Sequence, residues 1–193
     1  MAKKNPNPQG KGLTPVVQQR QELLASAIPD KSASQILTDY AISLLVLSAR
    51  FQFKPSPGQT YTLYLKQYNL GLSLIEPEAW PESMGKPIAR CQLNNDMTWH
   101  IGGTLFDPKD KSVVRILDSF LKGFEERLSA SQSLEQGLPY FAGHLPFYPR
   151  LFANVMAKSL EQSLQQSNLV GRNQHYWLTQ LDSSKLLTTT IEK

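Results

Sequence analysis

Two sets of residues in this 193-residue chain have types and spacings that could do chemistry. Asp96 closes the turn-forming run Asn94-Asn95-Asp96, four residues before His100. A carboxylate held near an imidazole orients it and strengthens it as a base. Glu76, Glu78 and Glu82 form an acidic run around Trp80, and Glu78 would supply a second carboxylate. Asp96, His100 and Glu78 together would suit a small hydrolase or lyase. Each also has a plainer reading, which is favoured. A turn aspartate commonly bonds its own backbone. Glu78, directly after Pro77, suits the first turn of a short helix. His100, His144 and His175 are widely separated and lack ligand-type neighbours, so packing or surface roles are favoured for all three.

The second set is aromatic. Tyr61, Tyr64, Tyr68, Trp80 and Trp99 fall in or beside the segments with strand alternation. Aromatic rings on a sheet can stack bases or cage a cation, but they also fill cores. Core placement is the favoured reading for Trp80 and Trp99. Tyr64 alternates with Leu63 and Leu65 and shares its face with Thr62 and Lys66, so it is expected to be exposed. Tyr64, Lys66 and Glu78 are thus the candidate binding residues.

Strong fingerprints are missing. The chain has no phosphate loop, no dinucleotide-binding glycine triplet, no nucleophile elbow and no paired-histidine zinc helix. Cys91 is the one cysteine, which excludes an intramolecular disulfide and a multi-cysteine metal site. No cofactor or metal is expected. Lys and Arg exceed Asp and Glu by four, and Lys3, Lys4, Lys11 and Arg20 carry that whole excess. Such an arm could add weak RNA or ribosome association through Lys3, Lys4 and Lys11, although a solubilising role is the favoured reading. The start has no apolar stretch behind its lysines, and the most apolar run, 41–49, is far short of the roughly 20 residues that span a membrane. The expectation is a soluble cytoplasmic protein.

Positioning these residues falls to one domain of average size. Residues 1–15 are rich in Pro and Gly and read as a flexible basic arm. Residues 16–178 read as a single α+β domain, opened by a short amphipathic helix over 16–27, and 179–193 as a polar tail. Apolar residues surround the segment 34–50 on most sides, which predicts a buried central helix with Ser32 or Ser34 as its cap. Residues 60–106 alternate with period two in two hairpins, which predicts a four-stranded antiparallel β-meander. Helical spacing resumes over 109–129, with Asp107 as cap and Pro108 at the first position, and again over 149–166. These are the two further amphipathic helices.

Several of these segments carry a resemblance. Gly58-Gln59-x-Tyr61-x-Leu63-Tyr64, Leu72-Ser73-Leu74-Ile75-x-Pro77-Glu78-x-Trp80, Leu93 and Asp96-Met97-Thr98-Trp99 resemble the family catalogued as domain of unknown function 2452. The opening 5–13 and the run Leu145-Pro146-Phe147-Tyr148 are similar to its bacterial members. Pro81 stands where that family is expected to have glycine. The resemblance implies no activity, cofactor or site. The leading functional expectation is a non-enzymatic binding module whose contact surface is the sheet face at Tyr64 and Lys66 with the 76–82 loop. An unknown protein is its expected partner.

Overall fold

In the computed structural model, the residues described are 28–79, 81, 83 and 85–181. The basic arm, the helix expected over 16–27, Trp80 and the tail beyond residue 181 lie outside them. The central helix starts where a reciprocal cap is available. The Ser32 hydroxyl accepts the Gln35 backbone N–H at 3.3 Å, and the Gln35 side chain accepts the Ser32 N–H at 2.9 Å. The helix that follows, α1 (Ala33–Leu47), buries ten of its 15 residues on all sides, so it can only sit in the interior. It is covered by the sheet on one side and by later helices on the other.

The sheet has four antiparallel strands: β1 (Thr60–Lys66), β2 (Asn69–Ser73), β3 (Lys86–Leu93) and β4 (Trp99–Thr104). Class and strand number match the sequence reading, but the order is β2-β1-β3-β4 and not that of a meander. Burial explains why. β1 is buried on both faces from Tyr61 to Leu65, which suits an inner strand, whereas β2 is mostly half-exposed and suits an edge. Arg50 closes the outer side of β2, donating its N–H to Leu70 O at 2.8 Å and accepting Leu72 N–H at 3.1 Å. The β1–β2 turn is two residues long, Gln67 and Tyr68, with φ of +47° and +65°, the backbone that a tight hairpin demands.

With β1 between them, β2 and β3 run in the same direction, so residues 74–85 must travel back across β1. Residues 75–78 lie against the face that Tyr61, Leu63 and Leu65 do not use. The Tyr64 hydroxyl donates to Ile75 O at 2.8 Å, and Arg90 of β3 reaches Glu76 at 3.4 Å and Glu78 at 2.9 Å. The connector contains the expected turn of helix, a 3-10 turn over Pro77–Ala79. It re-enters the sheet at Gly85, with φ +121°, where a Cβ would stand 2.7 Å from Leu65 O.

Four helices complete the described residues: α2 (Lys111–Ala130), α3 (Leu134–Gly137), α4 (Phe147–Gln166) and α5 (Gln174–Gln180). Asp110, not Asp107, caps α2, accepting Ser112 N–H at 3.0 Å. Asp107 instead accepts Lys109 N–H at 2.8 Å in the turn before it, since Pro108 starts that turn and not the helix. α4 packs along α1, while α2 and α5 close around the same core. α5 overlaps the start of the segment read as a polar tail; Asn173 caps it and Trp177 buries its ring.

Candidate functional site

Asp96 does take the turn role expected of it. Its Oδ1 accepts the Thr98 N–H at 3.1 Å and the Thr98 hydroxyl at 2.6 Å. Its Oδ2 accepts from the Lys31 ammonium, which also donates to Asp39 Oδ2 at 2.5 Å. Neither Lys31 nor Asp39 was singled out from sequence. Burial pushes both carboxyls up. For Asp39 burial wins, and it stays above the usual carboxylate range despite Lys31. For Asp96 the hydrogen bonds from Lys31 and Thr98 together outweigh burial, so it lies below that range. Burial alone would lower Lys31, but the two carboxylates raise it.

His100 joins the same network without touching Asp96. Its Nδ1 lies 2.6 Å from Asn94 Oδ1, and Asn94 Nδ2 donates to Thr98 Oγ1 at 3.0 Å. That orientation of the amide makes Nδ1 the protonated ring nitrogen. Asp96 therefore does not orient His100, and both of its oxygens are already engaged. Glu78 is held by Arg90 in the connector, with no bond to either residue. Lys31 O also accepts the Ser167 hydroxyl at 2.8 Å. The network therefore works as a clasp: it ties the start of α1 to the β3–β4 turn and to the end of α4.

The binding residues read from sequence are also placed differently. Tyr64 is 2 % exposed, because the connector covers the face it was expected to present. Trp99 is fully buried, as expected. Lys66 is exposed at the hairpin end, where it lines a shallow depression of about 460 Å³ with Arg50, Asn69 and Leu70. Glu78 lies on the surface with its Arg90 partner, a pair of the kind worth about 0–1 kcal/mol.

The better-formed site is one the sequence reading did not propose. A groove of about 320 Å³ opens where α1, α2, the 138–145 loop and α4 meet. Leu44, Leu47 and Ser48 come from the end of α1, and Ser119, Phe120, Gly123, Phe124 and Arg127 from one face of α2. Pro139, Ala142, His144 and Leu145 form the loop wall, and Ala153 of α4 completes the lining. Phe120 and Phe124 stack with centroids 6.4 Å apart, and Phe124 meets Tyr40 edge-on at 5.4 Å, which makes this wall rigid. Beside the groove, Phe141 is 97 % exposed.

Gly123 is the signal that could have found it. Glycine inside a helix costs about 1 kcal/mol against alanine. Here neither backbone nor packing asks for it: its φ is ordinary, and a Cβ would meet nothing within 4 Å. It stands on the lining of the groove. Among the described residues, Arg127 is the groove's one permanent cation and no carboxylate lines it. Arg127 lies near the Tyr40 hydroxyl, which donates to Gly137 O at 2.5 Å. Burial pushes that hydroxyl up to about 12, with Arg127 pulling the other way, so Tyr40 stays a neutral anchor.

Among the described residues, no group of three or more His, Cys, Asp or Glu side chains could hold a metal ion, and no helix is long and apolar enough to cross a membrane. The chain matches no family model, no curated protein and no solved structure.

Proposed function

We infer that the chain is a non-enzymatic binding module whose ligand site is the groove between α1, α2 and the 138–145 loop. The observation that carries this reading is Gly123: a mid-helix glycine with no conformational or packing need, placed where a side chain would fill the groove. The volume, about 320 Å³, falls at the lower end of the roughly 300–1,000 Å³ of small-molecule sites. An apolar lining with a few convergent polar groups is the usual composition of such sites. The sheet face at Tyr64 is not favoured as the contact surface, since the connector lies on it.

No observation favours the enzyme reading at Asp96 and His100: both Asp96 oxygens are engaged within the clasp, and His100 Nδ1 faces Asn94 and not Asp96. RNA association through Lys3, Lys4 and Lys11 rests on residues outside the described part. The family resemblance adds no activity.

A fragment screen followed by amide NMR shifts tests the groove. Hits should perturb Gly123, Ala142 and Leu145 together, and Gly123→Leu should abolish those shifts while leaving the fold intact. Hits that gather at Lys66 and Arg50 instead would move the site to the hairpin end.

A further inference from the structure

We propose that the groove takes a small amphipathic carboxylate, with its apolar body between Phe120 and Leu145 and its carboxylate on Arg127. This rests on the groove being the ligand site and adds the class of ligand. The argument is one of charge and size. Among the described residues, Arg127 is the permanent cation of a lining that contains no acid, and it makes no ion pair with them. Arg127 lines this apolar trough and also the adjoining cleft at Tyr40, Ser131 and Gly137. A planar guanidinium can donate to both oxygens of a carboxylate in parallel bonds, which an ammonium cannot do. His144, the other titratable group of the lining, adds a donor and no negative charge. Protein partners ordinarily bury about 800 Å² on each side. A trough of about 320 Å³ with a loop as one wall suits a small molecule instead.

Three ten-carbon probes with one body and different heads separate the parts of this proposal: decanoate, decanol and decyltrimethylammonium. Each is titrated below its aggregation concentration into the full chain, with the amides of Gly123 and Ala142 followed by NMR. Decanoate should bind at least about tenfold more tightly than decanol, and the cation should bind most weakly; one charged hydrogen-bond pair accounts for such a factor. Arg127→Gln should erase the preference for decanoate and leave decanol unchanged, and Arg127→Lys should retain part of it. Equal binding of decanoate and decanol to the unaltered chain would overturn the carboxylate assignment and leave the groove standing as an apolar site. If none of the three shifts either amide, the groove reading fails as well. Because the head-group comparison needs no substitution, any effect of Arg127→Gln on folding cannot hide the answer.

Discussion

Asp39 and Asp96 share one ammonium, yet they are displaced in opposite directions. That difference can be measured. Asp96 has a folded pKa below its ordinary 3.8, so below that value the unfolded chain binds the proton more readily. Its contribution is therefore present above 3.8 and is lost as the pH falls through the lowered folded value. Asp39 is raised above 3.8, so the folded chain holds the extra proton just above that value, and stability falls as the pH rises through this window. Asp96→Asn should flatten the acid limb of a plot of urea midpoint against pH, and Asp39→Asn should remove the decline on its alkaline side. Identical profiles for the two variants would contradict the assignment. At Trp99 the measure is stability alone. Its ring is fully buried against Tyr61, at 5.5 Å between centroids, so Trp99→Ala should cost about 3–5 kcal/mol by urea melts. The turn role of Asp96 and the burial of Trp99 were legible because both depend on neighbours close in sequence or on simple alternation. The clasp was not, because Lys31 meets Asp96 across 65 positions.

At the scale of elements, periodicity located α1, the four strands, α2 and α4 to within a few residues. It could not order the strands. Alternation says that Leu63 and Tyr64 point to opposite sides of β1, and they do. It does not say that the second side will be covered, because that depends on β2 going to the edge and on the connector having to return. Two variants check the connector's role. Tyr64→Phe removes the bond to Ile75 O and should cost about 1 kcal/mol. Gly85→Ala, which places a Cβ against Leu65 O at a positive φ, should cost more than about 1 kcal/mol. Gly123→Ala should do the reverse and stabilise the chain by up to about 1 kcal/mol, since α2 gains helix propensity with nothing displaced. All three are read as shifts in urea midpoint. A destabilised Gly123→Ala would show that the glycine serves packing, not the groove.

For the molecule as a whole, Cys91 is an internal gauge. It lies in β3, is fully buried, and burial pushes its thiol up to about 12. The thiolate that reacts with disulfide reagents is thus scarce and shielded in the folded chain. A chromogenic disulfide should leave the native protein unlabelled and react fully in urea, with a native-state rate that follows global opening. Rapid labelling without denaturant would mean that β3 opens on its own. Cys91 shares the buried face of β3 with Leu93, so its burial follows from alternation alone. The groove has no such local signature beyond one glycine, because its walls come from four separate segments.

The return of the connector over β1 also sets an order of events. The sheet is two hairpins, β1 with β2 and β3 with β4, joined along β1 and β3. The connector bonds Tyr64 of β1 and Arg90 of β3, so its full set of contacts needs the two hairpins joined. Contacts made by the connector therefore belong to the late side of the folding barrier. Tyr64→Phe should leave the refolding limb of a chevron in place and raise the unfolding rate about fivefold, the kinetic equivalent of about 1 kcal/mol placed wholly after the transition state. A slowed refolding limb would mean that the connector takes part in the nucleus, and that β1 meets β3 with its cover already on.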